Sequence, residues 1–119
     1  MTDPSEQERF MSSVITKLES SDYSKSAALA HAYALRAKAY LEMSEWALAI
    51  QNAQQATALV DIASAPTVTM AYRSWVDALE GQGQHARDVV PVLQAWFKAQ
   101  PKFGTKIKNE IESWVERAQ

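Results

Sequence analysis

The stretch that decides the fold is HAYALRAKAYLEMSEWALAI, which runs from His31 to Ile50. Its first half is rich in alanine, the strongest helix former, whose short side chain also lets neighbouring helices approach closely. A second apolar stripe begins at Trp46 and recurs at helical spacing. The stretch therefore predicts two helices joined by a tight turn, with Ser44 capping the second helix.

Helical spacing continues on both sides of this stretch, and the alternation typical of strands does not persist in the sequence. Gly81 and Gly83 interrupt the pattern, Pro101 stops it, and Asp3 is placed to cap the first helix. Pro91 falls inside a segment that otherwise reads as helical. The predicted fold is all-α, with about six helices at 4–20, 24–43, 45–61, 66–80, 84–99 and from Phe103 or Thr105 to Ala118.

The composition is that of one globular domain. Hydrophobic residues make up 47% and charged residues 22% of the 119 positions, so the chain can bury one core. The net charge of -2 argues against a nucleic-acid partner, because such proteins present basic surfaces. Cysteine is absent, and the sequence shows neither a targeting segment nor an apolar run long enough for a membrane span. We therefore expect a single domain, 1–119, in the cytoplasm or the nucleus, with no membrane partner.

A second stretch, MAYRSWVDALEGQGQHARDV from Met70, aligns with the first. Tyr72 falls opposite Tyr33, and Leu79 stands 39 positions after Tyr40. Each copy reads as a helix, a tight turn and a second helix, so the chain is predicted to repeat one structural unit.

The first copy resembles the tetratricopeptide repeat, a unit of two helices with a period of about 34 residues. The resemblance is carried by Tyr33, Ala37, Tyr40, Trp46, Ala49 and Ala56. It covers about residues 27–101 and implies a right-handed stack of antiparallel helix pairs, with Ala37 and Ala49 where the helices cross. The divisions it implies are an N-terminal helix at 1–22, a first repeat at 24–61, a degenerate second repeat at 66–101 and a capping helix at 103–119.

The sequence does not contain a recognisable catalytic constellation. His31 and His85 are the only imidazoles, and they are too far apart in sequence to form a metal-binding helix motif. The glycines at 81 and 83 lack the lysine and hydroxyl residue of a phosphate loop. We therefore expect no enzymatic activity, no cofactor and no metal site.

The resemblance also implies a concave groove, lined by the first helix of each repeat, that holds an extended peptide or a partner helix. Lys38 and Arg73 would point into it together and bind an acidic side chain or a terminal carboxylate. The residues expected at this groove are His31, Lys38, Leu41, Met70, Arg73, Asp77, Lys106 and Lys108, with Ala34 and Glu80 beside them.

The expected function is a non-catalytic protein-interaction module, an adaptor or co-chaperone-like scaffold. Related repeats of eukaryotic co-chaperones grip the C-terminus of heat-shock chaperones through a carboxylate clamp. That clamp does not carry over, since Leu35 stands where it has asparagine, and Met70 and Ser74 stand where it has basic residues. The alternative is a homodimerising domain whose interface contains Trp96, Phe97 and Phe103.

Overall fold

A computed structural model describes residues 3–21 and 25–118 of the chain. Within these two segments the protein consists of six α-helices and one 3-10 turn, without a strand, so the all-α prediction is confirmed. The helices are α1 Pro4–Glu19, α2 Ala27–Glu42, α3 Trp46–Thr57, α4 Ala65–Gly81, α5 Ala86–Ala99 and α6 Gly104–Arg117, with the 3-10 turn Pro101–Phe103 between the last two.

The helix boundaries differ from the predicted ones mainly in the first helix pair. The second helix begins at Ala27 instead of residue 24, which lies outside the described residues, and the third ends at Thr57 instead of 61. Residues 58–63 form turns instead of continuing α3, and Ser64 then caps α4. Pro91 lies within α5, as the helical spacing around it predicts.

Three helix starts are capped by side chains that accept a backbone N–H. Asp3 accepts from Ser5 at 3.0 Å, as predicted, Ser26 accepts from Leu29 at 3.1 Å, and Ser64 accepts from Thr67 at 3.4 Å. Each such cap stabilises a helix by about 1 kcal/mol. The prediction that Ser44 caps α3 is wrong, because Glu45 occupies the N-cap position and makes no side-chain cap bond.

Ser44 instead takes the left-handed backbone conformation of the turn between α2 and α3, with φ 59°. Gly83 plays the same part between α4 and α5, with φ 75°. In both turns the next residue donates its N–H to a carbonyl five positions back, from Glu45 to Tyr40 at 2.9 Å and from Gln84 to Leu79 at 3.0 Å. This is the C-terminal motif that ends many helices, and it occurs at equivalent positions of the two aligned stretches.

Helix α4 lies between two apolar cores. On one side it packs against α2 and α3, where Ala71 joins a cluster that includes Ile15, Leu29 and Tyr33. On the other side it packs against α5, and its Val68, Tyr72 and Val76 join a larger cluster with α5 and α6. The right-handed stacking implied by the repeat resemblance stays a prediction.

Close helix packing depends on small residues. Ala37 and Ala49, predicted at the crossing of α2 and α3, are both 0% exposed. Gly81, predicted only to interrupt a helix, is the last residue of α4, and a Cβ added there would lie 2.8 Å from the indole ring of Trp46. Glycine at this position therefore allows Trp46 to pack against the end of α4.

Candidate functional site

A cavity of about 570 Å³ opens between α2, α4 and the 3-10 turn, and we call it the groove. Most of its lining comes from one face of α4, because positions three and four apart on a helix share a face. The lining residues are Lys38, Leu41, Ala65, Pro66, Thr69, Met70, Arg73, Ser74, Asp77, Lys102 and Phe103.

The structure brings five of the eight expected groove residues together: Lys38, Leu41, Met70, Arg73 and Asp77. A sixth, Lys106, lines an adjoining cavity of about 190 Å³ that shares Thr69, Arg73 and Phe103 with the groove. Two of these five residues are on α2 and three are on α4.

The remaining expected residues lie elsewhere. Lys108 lines a different cavity beside Phe97 and Ile111, because it faces the opposite side of α6. Ala34 is 0% exposed and belongs to the core cluster shared by α1, α2, α3 and α4, so it does not face the groove. Glu80 is exposed but does not line the groove.

His31 contacts Thr67, a residue distant in sequence, and does not line the groove. Its Nδ1 atom lies 3.0 Å from the hydroxyl of Thr67, which is 1% exposed and also accepts a hydrogen bond from the Ser64 hydroxyl at 2.9 Å. The contact joins α2 to the first turn of α4. His31 does not line the groove, and its contact is with Thr67 in the first turn of α4.

Arg73 is already paired within the protein. Its guanidinium donates to both carboxylate oxygens of Glu110, at 2.7 and 3.0 Å, and to Asp77 at 2.9 and 3.1 Å. The hydrogen bonds to Glu110 are the main reason that the pKa of Arg73 is raised above its ordinary value. With two carboxylates on one guanidinium, Arg73 does not offer a free positive charge, which corrects the expectation that it binds an anion.

The groove has two other cations, Lys38 and Lys102, both exposed. Neither ammonium group forms an ion pair with a residue in the described parts of the chain, although Lys102 lies 5.2 Å from the centre of the Phe103 ring. The apolar side chains of Leu41, Met70 and Phe103 line the same groove. The groove is therefore an apolar trough with a free positive charge on α2 and another on the 3-10 turn.

Gln100 positions the 3-10 turn that carries Lys102 and Phe103. Its side chain is buried at 6% exposure, and its Oε1 atom accepts from the Trp96 indole at 2.8 Å and from the Thr69 hydroxyl at 2.9 Å. Its Nε2 atom donates to the carbonyl of Ala65 at 2.9 Å. Sequence reasoning missed Gln100, Lys102 and Phe103 as parts of the site, and no local pattern distinguishes this glutamine from the exposed ones.

The aromatic residues expected at a homodimer interface are mostly buried. Trp96 is 6% exposed, and Phe103 packs against the core of α4, α5 and α6. Only Phe97, at 43% exposure, presents a large apolar surface. Trp96 is therefore ruled out as an interface residue because its ring belongs to the core.

In residues 3–21 and 25–118, no group of three or more histidine, aspartate or glutamate side chains is arranged to hold a metal ion. None of the helices described is long and apolar enough to cross a bilayer. The chain matches no protein-family model, no curated protein and no solved structure.

Proposed function

We propose that this chain is a non-catalytic protein-interaction module that binds a peptide or a partner helix in the groove. The observation that carries the proposal is the apolar trough lined by Leu41, Met70 and Phe103, with the unpaired ammonium groups of Lys38 and Lys102 beside it. Concave apolar surfaces with a few placed polar groups are the usual form of a binding site.

The ligand fits this surface when an apolar side chain enters the trough and a carboxylate reaches each lysine. An acidic segment or a terminal carboxylate supplies such groups. Arg73 contributes by holding α4 and α6 together through Glu110, not by binding the ligand. As a tetratricopeptide-like protein, the chain would act as an adaptor or co-chaperone-like scaffold. The two equivalent turns at Ser44 and Gly83 support this tetratricopeptide-like reading of the chain.

The test is selection of random twelve-residue peptides displayed on phage against the immobilised full chain. We expect enrichment of sequences that combine a large apolar residue with Asp or Glu. Each selected peptide is then measured against the variant Lys38→Glu/Lys102→Glu, and the affinity is expected to fall at least tenfold because both attractions become repulsions.

The matched control is Lys17→Glu/Lys98→Glu, which reverses two exposed lysines that do not line the groove. Circular dichroism confirms that both variants remain helical. No enrichment, or equal loss of affinity in the two variants, would contradict the proposal.

Self-association is the second candidate function, and it rests on a different surface. Phe97 and Val115 are 43% and 44% exposed, and Ile111 lies on the same face of α6 as Val115. Sedimentation equilibrium at several concentrations tests this candidate. A monomer mass that does not change with concentration excludes it, whereas a dimer lost in Phe97→Glu supports it.

A further inference from the structure

One buried polar side chain of the groove has no hydrogen-bond partner. Apart from aromatic residues, four polar residues are buried in the described parts of the chain, and three of them, Asn52, Thr67 and Gln100, are hydrogen-bonded through their side chains. The fourth is Ser74, which is 3% exposed and lines the groove. Its hydroxyl forms no hydrogen bond with any residue that the structure describes.

The Ser74 hydroxyl is not satisfied by its own helix. A hydroxyl within a helix can donate to the carbonyl four positions back, as that of Thr69 does to Ala65 at 3.1 Å. For Ser74 that carbonyl belongs to Met70, and the structure does not contain the bond. The hydroxyl therefore keeps its full capacity to bind another group.

This hydroxyl also remains open to the groove. Among the residues described, the indole of Trp114 is the one unpartnered side-chain group that is closed off from solvent, so the Ser74 hydroxyl is not. Ser74 shares a face of α4 with Met70, Arg73 and Asp77, which line the groove as well. The small part of Ser74 that is accessible therefore lies where a ligand would bind.

A bound ligand changes the surroundings of this hydroxyl. In the free protein it is open to water, but an apolar side chain packed against Leu41, Met70 and Phe103 would exclude that water. A buried hydroxyl left without a partner then lowers the affinity by roughly tenfold. The groove should therefore favour a ligand that brings its own hydrogen-bonding group to Ser74.

The charges around the groove indicate which group this is. A serine hydroxyl both donates and accepts, but the free ammonium groups of Lys38 and Lys102 make the groove electropositive and favour a ligand oxygen. In a peptide, a carbonyl oxygen lies next to every side chain. Within an α-helix these carbonyls are bonded to the helix's own N–H groups, whereas in an extended segment they are free.

We propose that the groove binds its peptide in an extended conformation, with the Ser74 hydroxyl donating to a backbone carbonyl beside the apolar side chain that enters the groove. This inference rests on the proposed function and specifies its ligand as an extended acidic segment, not a helix. Lys38 and Lys102 select for acidic groups, and Ser74 selects for a free backbone carbonyl.

The test is an NMR titration of the ¹⁵N-labelled full chain with two small probes. N-acetyl-leucinamide presents a leucine side chain between two backbone carbonyls without a charge, and N-acetyl-leucine adds a carboxylate. We expect both probes to shift the amide signals of Leu41, Met70 and Ser74. Ser74→Ala should weaken the binding of both probes by about fivefold, because each loses the same hydrogen bond. Lys38→Glu/Lys102→Glu should weaken only the binding of the anion.

The variants separate binding from folding. Ser74→Ala removes no hydrogen bond of the free protein and introduces a strong helix former, so it should fold normally. Ser113→Ala, at an exposed position of α6 outside the groove, is the matched control and should bind as the wild type does.

The outcomes distinguish this inference from the proposed function. If Ser74→Ala binds both probes as tightly as the wild type while the lysine variant loses the anion, the inference is overturned and the proposed function stands. If neither probe shifts the groove signals, the proposed function fails and the inference fails with it.

Peptides from the phage selection test the extended conformation directly. A proline placed three positions before the apolar residue should change their affinity less than threefold if they bind extended, because proline disrupts a helix but not an extended chain. A loss of more than tenfold would mean that the groove takes a helix, which contradicts the inference.

Discussion

The two sides of α4 are held together in different ways. Toward α1, α2 and α3 the packing depends on small residues, and Ala30, Ala34, Ala37, Ala49 and Ala53 are all 0% exposed. Toward α5 and α6 it depends on large rings, which form a continuous row. Tyr72 stacks on Trp75 and on Trp96 with ring centres 6.2 Å apart in each case, and Trp96 contacts Phe103 at 6.3 Å.

Polar contacts join helices on both sides of α4, and on the aromatic side they are those of Arg73 and Gln100 described above. On the alanine side, Arg36 donates to Asn52 at 2.6 Å and to the Ser12 hydroxyl at 3.1 Å, and Tyr40 donates to Glu8 at 2.8 Å. Tyr33 donates to Glu19, and burial together with this bond raises the pKa of Tyr33 to about 12. These bonds orient helices that approach closely through small side chains, whereas on the aromatic side large rings fill the space between the helices. On the alanine side, which faces α1, α2 and α3, enlarging a buried side chain should therefore lower the stability more than shortening one. On the aromatic side, which faces α5 and α6, shortening a buried side chain should lower the stability more than enlarging one.

The largest effect is expected from truncation on the aromatic side. Trp96→Ala should lower the free energy of unfolding by about 3–5 kcal/mol, because it leaves a cavity and removes the donor to Gln100. Urea denaturation followed by circular dichroism measures the loss. Phe97→Ala, at the exposed neighbouring position, is the control and should cost far less. Equal losses would mean that the aromatic row does not hold this side together.

Enlargement on the alanine side should be the next largest effect. Ala37→Leu adds a bulky side chain at a position that is 0% exposed, and overpacking of this kind costs about 1–3 kcal/mol. Ala47→Leu makes the same change on the exposed face of α3 and should be nearly neutral in the same urea experiment. If both variants were equally stable, close approach of α2 to its neighbours would not matter.

The polar contacts predict a dependence on pH. Hydrogen bonds from Tyr40 and then from Ser12 lower the pKa of Glu8 below its ordinary value of 4.5. Because the lowered pKa belongs to the folded state, the stabilisation is present above pH 4.5 and is lost as the pH falls through the folded-state pKa. Glu8→Gln should cost a few tenths of a kcal/mol at pH 7, because Glu8 is partly exposed and glutamine keeps an acceptor oxygen, and it should show a smaller loss of stability on acidification than the wild type.

The matched variant for this experiment is Glu6→Gln, which changes an exposed carboxylate on the same helix. Urea midpoints measured from pH 7 to pH 3 compare the three proteins. A Glu8→Gln profile parallel to that of the wild type would show that this carboxylate does not link α1 to α2 electrostatically.

The smallest effect concerns the two turns. Ser44 and Gly83 have the same left-handed conformation, which strains a residue with a Cβ atom but not glycine. Ser44→Gly should therefore stabilise the protein by about 0.5–1 kcal/mol, and Gly83→Ser should destabilise it by a similar amount. No atom lies within 4 Å of a Cβ built at Gly83, so thermal melting of this pair reports the backbone strain alone.

Local patterns predicted the helices, the burial of Ala37 and Ala49 and the face of α4 that lines the groove. They failed where the outcome depended on a partner distant in sequence. Arg73 is neutralised by Glu110, and Lys102 reaches the groove only because Gln100 bonds to Thr69 and Ala65. Ser44 was misassigned for a local reason, since serine suits both an N-cap and a turn.

The position of α4 between two cores has a consequence for cooperativity. One face of this helix completes the alanine side through Ala71, and the other completes the aromatic side through Val68, Tyr72 and Val76. Neither side can therefore melt without exposing apolar surface on the other. We expect a single two-state transition, with amide hydrogen exchange slowest at the centre of α4 and similar protection in the two halves that flank it.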